Sequence, residues 1–478
     1  MGKQFDELVN FHSKSSDFVS VAIAVDESIF ISYYETMVDS KSLLQDLFPV
    51  IVRLNGDKIE DLYASLPFPG KQIVTDTNEQ TQLLMIGYIL LSNRTEEACI
   101  AVQAVRTESR SINAPEVEFS VIGPKDALIE QLDTNIMQIR RRLPVPELRV
   151  TRMEIGSLSK TKCAVMHLEG IANPLNLDYM MKRLNKIDMD VITDSTNIIQ
   201  IIVDNKYSLF PQFLETERPD RLAHVLSFGG IAVLVDGSSQ AFTGPVTIGQ
   251  FLVAYEDYYL SWHLGSFFRI LRILSILFSI FATPVYIAIL TYHYHIIPTL
   301  LIGPIISSRI NLPFPPYLEV IFMELTIELL REAGARLPTK IGQTIGIVGG
   351  IVIGTAAVQA ALTSNILLTI VALSALASFA VPIFHFSNTI RVIRYPFILS
   401  AQMLGLVGIV VCASFLLVHL LRLKSLGTPY LQPFYPLRFQ DWQDSVFRVP
   451  TASFNKRPGA FRPLRKDRTR TKKPDIDE

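Results

Sequence analysis

The chain has 478 residues, a formal net charge of −1, 49% hydrophobic residues, and only three cysteines. That length exceeds one ordinary core, and the apolar excess, gathered after about residue 268, excludes a wholly soluble protein. Cys99, Cys163 and Cys412 are widely spaced with no CxxC pair, which argues against a disulfide framework or a zinc site.

Residues 1–20 hold Lys3, Asp6, Glu7, Lys14 and Asp17 and no apolar run, so no secretory signal is expected there and the first half is assigned to the cytoplasm. From 19 to 257 short apolar runs alternate with helical ones, the mark of an α/β or α+β half. Strands are expected at 19–25, 98–105, 118–122, 163–168, 198–203 and 231–235, and helices at 40–47, 125–142, 178–186 and around 224–226. The helix at 125–142 is the best marked, opened by Gly123 and Pro124 and closed by Arg140, Arg141 and Arg142 before Pro144. Pro144 and Pro146 interrupt both periodicities and divide the soluble half into two subdomains, 1–143 and 144–262.

An all-α polytopic membrane domain is expected over 263–425. Stretches 270–292, 341–362, 366–386 and 397–421 are long enough to cross about 30 Å of hydrocarbon at about 1.5 Å per residue. Residues 296–312, broken by Pro298 and Pro304, read as a re-entrant or interfacial piece, or a fifth span. Arg269 and Arg272 at the first span, and the basic cluster 456–473 after the last, place both ends in the cytoplasm, although Arg391 and Arg394 then fall outside. Residues 426–478 read as a disordered basic tail, a topological anchor or an attachment to anionic lipid.

Two of the membrane helices carry more than apolar bulk. In 318–337, Glu324, Glu328, Arg331 and Glu332 fall within about 100° of arc. Such a row, with Glu332 and Arg336 as a further pair, belongs either to a surface helix with exposed ion pairs or to a carboxylate ring at a cation pore. The following segment repeats Gly342, Gly346, Gly350 and Gly354 every four residues, a stripe that lets another helix approach closely. Thr344, Thr355, Gln359 and Thr363 lie roughly opposite, so this helix either lines a pore between subunits or is an internal helix whose threonines bond back to its own carbonyls.

No phosphate loop, HExxH, GxSxG or paired CxxC occurs, and the histidines are scattered, so neither catalytic constellation, metal site nor cofactor is expected.

Blocks across the chain, in order, resemble the A subunits of bacterial spore germination receptors of the GerA type. They are VRTESRSINAPEVEFSVIGPKDALIEQLDTNIMQIRRRL (105–143), FPQFLETERPD (210–220), VLVDG (233–237), ELLREAGARLP and IGQTIGIVGGIVIGTAAVQA (328–360). The resemblance implies a nutrient germinant receptor subunit in the spore inner membrane, acting with a transporter-like B subunit and a lipoprotein C subunit. It also implies an oligomer that releases ions at the onset of germination, and neither an enzyme nor a nucleic-acid binder. The positions carried over are Arg110, Pro115, Glu118, Gly123, Asn135, Arg140, Arg141, Arg142, Glu217, Arg218, Pro219 and Asp220, whose implied role is structural. Arg110 with Glu118, and Arg218 between Glu217 and Asp220, are the expected contacts. Pore or gating candidates are Glu324, Glu328, Glu332, Thr355, Val358 and Gln359. Alternatives to the channel are a non-conducting receptor scaffold and a secondary transporter built around 296–312.

Overall fold

The computed structural model describes residues 3–23, 29–39, 42–53, 59–68, 70–93, 96–106 and 114–468. Its N-terminal half contains two five-stranded antiparallel sheets, which makes it α+β. The first is built from α1 (Lys3–His12), β1 (Phe18–Ala22), β2 (Ile29–Tyr34), a π-helical turn Ser42–Leu47 leading into α2 (Phe48–Arg53), α3 (Ile59–Ser65), β3 (Gln72–Val74), α4 (Thr77–Ile86), β4 (Tyr88–Asn93) and β5 (Cys99–Gln103), in strand order β1-β2-β4-β5-β3. The second follows α5 (Leu132–Arg142) and comprises β6 (Leu148–Ile155), β7 (Thr161–Leu168), α6 (Pro174–Leu184), α7 (Ser195–Ile202), β8 (Leu214–Thr216), α8 (Pro219–Ser227), β9 (Ile231–Val235) and β10 (Ala241–Gly244), in order β6-β7-β9-β10-β8.

Helix α5 joins the two. Its Met137 packs with Phe18, Tyr34 and Leu84 of the first unit, whereas Ile136 and Ile139 pack with Leu148, Val150 and Leu234 of the second. One turn on, Arg140 reaches Asp17 through two bonds of 2.7 Å, with its guanidinium 4.3 Å from the Tyr34 ring. Ser15 and Thr36 donate to the same carboxylate, so the ion pair is buried with its acceptor filled.

Several sequence expectations change here. Residues 198–203 are not a strand but part of α7, because the Asp194 side chain accepts from the Thr196 N–H as an N-cap and Ile198 and Ile202 then face one core. Residues 118–122 form no strand, and the helix expected from 125 begins only at Leu132. Between them Asn135 receives the Ile129 N–H (2.8 Å) and donates to the Ile129 carbonyl (2.5 Å), holding the chain off the helix axis.

After α9 (Ile248–Phe251) the helical half begins: α10 (Trp262–Thr291), α11 (Thr299–Arg309), α12 (Pro316–Arg336), α13 (Thr339–Gln359), α14 (Asn365–Phe379) and α15 (Phe384–Arg422). Among the described residues, α10 and α15 are the two helices long and apolar enough to cross a membrane. The stretch expected as one span over 366–386 breaks instead between α14 and α15, where Pro382 removes a donor.

The length of α15 is deceptive. Phe386 and His419 are 33 residues apart, about 50 Å along a straight helix, yet their rings lie 6.2 and 6.1 Å from Phe210. The chain reverses at Gly405, whose φ of 62° and ψ of −140° leave the helical region. The span expected at 397–421 is therefore a hairpin, with legs 384–404 and 406–422. The Tyr292 hydroxyl at the end of α10 donates to the carbonyls of Gln402 and Met403, which the reversal leaves without helical partners.

The expected disordered tail is packed as far as it is described. β11 (Lys424–Ser425), β12 (Thr428–Pro429) and α16 (Phe439–Ser445) return it to the second sheet unit, where Tyr430 and Phe461 are buried. Asn173 and Asn176 donate to the carbonyls of Arg462 and Phe461, and Arg457 donates to that of Ser227, so basic residues read as a solvated tail are fixed by backbone carbonyls.

Next to the interdomain pair, His12 is buried against the Tyr34 hydroxyl at 2.8 Å. Burial, then the neighbouring Arg149 and Arg140, lower its pKa from 6.5 to about 4. The unfolded chain takes up a proton that the folded one refuses, so stability is lost as pH falls from 6.5 towards 4, by up to about 1.4 kcal/mol per pH unit. The melting temperature of the detergent-solubilised protein is expected to fall across that window, and His12→Gln to reduce the slope; an unaltered slope would contradict this reading.

Candidate functional site: an ionic and aromatic joint between the two halves

The ETERPD stretch, 215–220, leaves the edge strand β8 and starts α8, and Pro219 occupies its first turn, where the missing N–H costs nothing. Every charged side chain in it is engaged. Glu217 Oε1 accepts from the N–H groups of Val117 (2.5 Å) and Glu118 (2.7 Å), and its carbonyl from Leu128 (2.7 Å). Arg218 forms a two-point contact with Asp220, at 3.1 and 2.7 Å, and donates to the Ser120 hydroxyl and the Pro124 carbonyl. Glu118 pairs with Arg221 (3.1 Å) and accepts from Thr216 (2.9 Å). The charges thus replace strand pairing for residues 115–130, which carry no regular ladder. Pro115 is buried at the start of that segment.

Tyrosines before α10 complete the cluster. Tyr259 donates to Asp220 at 2.8 Å, and burial followed by that bond pushes its phenol up to about 12, so it remains a donor. The Tyr255 hydroxyl donates to the Asp220 carbonyl, and its ring lies 5.4 Å from the Arg218 guanidinium. Gly123 explains itself here: its φ is +109°, and a Cβ would stand 2.7 Å from the Tyr259 ring.

The expected contact of Arg218 with its acidic neighbours is realised with Asp220, whereas Glu217 faces backbone. Glu118 takes Arg221 as its partner, and Arg110 lies outside the described residues. Arg141 donates to the Arg106 carbonyl at 2.6 Å and Arg142 pairs with Asp126, so the arginine run is divided among three contacts.

Where the chain enters the helical half, Asp257 receives Arg269 (3.2 Å) and Arg272 (3.0 Å). These arginines, read as orientation markers, are buried rather than water-facing. Arg269 also donates to the Asp444 carbonyl, while the Asp444 side chain accepts from Tyr258 at 2.8 Å, tying the C-terminal segment to the same point. Phe210 then fits between the α15 legs, and Phe251 stacks on Phe386 at 5.2 Å and 22°. His385 lies 2.8 Å from Glu215, and Thr389 donates to the Leu209 carbonyl at 2.6 Å. Sequence reasoning missed Asp257, Asp444 and Phe210, because a lone aspartate or phenylalanine has no spacing that announces its partner.

The acidic row of α12 is not one surface. Glu319 and Glu324 are buried, with Arg309 at 2.7 Å and Arg394 at 2.5 Å as partners, and Arg394 also reaches the Ser279 hydroxyl. Glu328 pairs with Arg331, and Glu332 with Arg336 on the exposed side. On α13, Gly354 meets Leu368, whereas a Cβ at Gly350 would meet nothing; Gly342 and Gly346 belong to the same helix. Thr355 bonds back to the carbonyls of Ile351 and Val352, Val358 is half-buried, and Gln359 is exposed.

A double-mutant cycle tests the joint. Glu118→Gln and Arg221→Gln, each placed in the full chain, are expected to couple by about 0.5–3 kcal/mol in unfolding free energy. Strict additivity would mean that the pair carries no weight.

The chain matches the family model for the Bacillus/Clostridium GerA spore germination protein over residues 6–460. It is 47% identical over 458 residues to spore germination protein GerQA of Bacillus cereus, covering 95% of this chain and 92% of that protein. It is 35% identical over 469 residues to spore germination protein KA of Bacillus subtilis (strain 168), covering 96% and 86%. Among solved structures it is similar to the N-terminal domain of the A subunit of the Bacillus megaterium spore germinant receptor GerK3, at 26% identity and a TM-score of 0.39, over 50% of this chain and 92% of that one. Since the match runs from α1 through both sheets, the joint and the helical half into the C-terminal segment, the chain belongs to the GerA family of spore germination proteins, the germinant receptor A subunits.

Proposed function

We propose that this chain is the signalling subunit of a nutrient germinant receptor in the spore inner membrane, where several copies form an ion-conducting assembly under the control of a transporter-like B subunit and a lipoprotein C subunit. The observation that carries the reading is α13. Over residues 347–359 it is covered on one side, by Leu330 at Gly349 and Leu368 at Gly354, while Ile347, Val348, Ile351, Val352 and Gln359 are exposed and Gly350 faces open space. An apolar helix with an uncovered side that includes a glycine suits close packing against a neighbouring copy.

Helix α14 runs against α10, since Ser364 meets Tyr286 and Ser374 meets Ser279. With α12, α13 and the two α15 legs, and setting aside the short, proline-containing α11, this makes six helical legs, an even number that suits cytoplasmic positions for both the N-terminal half and the C-terminal segment. Because Glu319 and Glu324 are neutralised inside the chain, the acidic groups of α12 left for a cation path are Glu328 and Glu332, with the uncharged Val358 and Gln359 of α13 as further lining candidates. Ligand binding elsewhere in the receptor would open such a path only by favouring one arrangement of the joint over another.

Planar-bilayer recording from the purified chain, alone and with B and C subunits, tests this. Cation-selective openings whose conductance falls in Glu328→Gln and whose gating shifts in Val358→Ala are expected. Silence in every combination, with assembly verified, would replace the channel by a scaffold.

A further inference from the structure

Residues 117–122, VEFSVI, have their polarity inverted. Glu118 and Ser120 turn inward to Arg221, Thr216 and Arg218. Val117, Phe119, Val121 and Ile122 turn outward and are 51, 71, 73 and 47% exposed. A water-facing segment does the opposite, and a cluster of large uncovered apolar side chains marks a contact surface.

The place of the segment identifies what it meets. Val117 and Phe119 border one cleft with Phe379, Ala380 and Pro382, and Val117 borders another with Phe384 and His385. That is the turn between α14 and α15, where Phe379 and Phe384 are also exposed, at 59 and 58%. The exposed apolar residues of the loop therefore lie beside the ends of helices whose outer faces are themselves apolar, across clefts whose floor also holds Arg218, Arg221 and Glu215. The backbone is prepared for a poorly hydrated environment, because the N–H groups of Val117 and Glu118 are taken by Glu217 and that of Val121 by Glu256 at 3.4 Å.

We infer that residues 117–122 are an interfacial loop that sets Val117, Phe119, Val121 and Ile122 into the headgroup boundary of the lipid bilayer around the helical half, so that the ionic joint is seated on the membrane surface. The inference rests on the membrane reading above, and its partner is lipid rather than protein. Interfacial contact of this kind scales with buried apolar area, and the ion pairs behind the loop fix its outward side.

Site-directed spin labels on the full-length chain in nanodiscs of phosphatidylethanolamine and phosphatidylglycerol test it, in a Cys412→Ala background where Cys99 and Cys163 are buried. Labels at Phe119→Cys and Val121→Cys are compared with Leu158→Cys, 74% exposed in the β6–β7 turn, and Phe415→Cys, 74% exposed on the second leg of α15. The ratio of collision rates with oxygen to those with a water-soluble nickel chelate is expected to be several-fold higher at 119 and 121 than at 158. A ratio like that of 158 overturns the inference, and so does low collision with both reagents, which would mean a protein neighbour. If the label at 415 also behaves as water-exposed, it is the membrane reading of the helical half that fails.

Discussion

One buried apolar cluster joins the β8 edge of the second sheet unit to the helical half, and the joint between them is arranged around that continuity. Phe210, Leu214, Val246, Phe251 and Leu252 belong to the same buried cluster as Ile287, Val371, Phe386 and Ile398. Phe210 touches both legs of α15, so a shift of either half disturbs the other's packing. A change at one end can therefore reach the other through packed elements with few alternative arrangements.

Charge performs the joining wherever backbone ladders are missing. Arg140 and Asp17 link the two sheet units, Arg218, Asp220, Glu118 and Arg221 hold the irregular segment before α5, and Asp257 gathers Arg269 and Arg272 at the helix entrance. Such buried pairs contribute modest net stability, yet removing one partner strands the other and costs about 3–5 kcal/mol. Their value lies in specifying one geometry. The same logic operates in α12, where Glu324 meets Arg394 across the bundle and so cannot serve as a free carboxylate.

The candidate positions were legible as a set with a structural role, and most of their individual partners were not. Gly123, Asn135, Arg140, Glu217, Arg218 and Asp220 stand out in sequence, and the structure gives each a contact with a different part of the chain. The pairing of Glu118 with Arg221 depends on α8 arriving beside residues 115–130, which no local pattern encodes. The run at 198–203 was misread because four isoleucines and a valine within six or so residues have strand propensity, and only the Asp194 cap and the burial of every third or fourth side chain reveal the helix.

By itself the sequence determined the division into a mixed N-terminal half and an apolar helical half, the strands with strong apolar runs, and the family, because composition, hydrophobic period and ordered motifs are local properties carried along the chain. Only the tertiary structure decided that α15 doubles back at Gly405, that the basic C-terminal segment is packed through Arg468, and that the acidic row of α12 is divided between buried and exposed pairs. Each of these depends on which surfaces meet. A long apolar run reads the same whether it is one span or two legs, and an arginine or glutamate shows its partner only when the fold brings the two together.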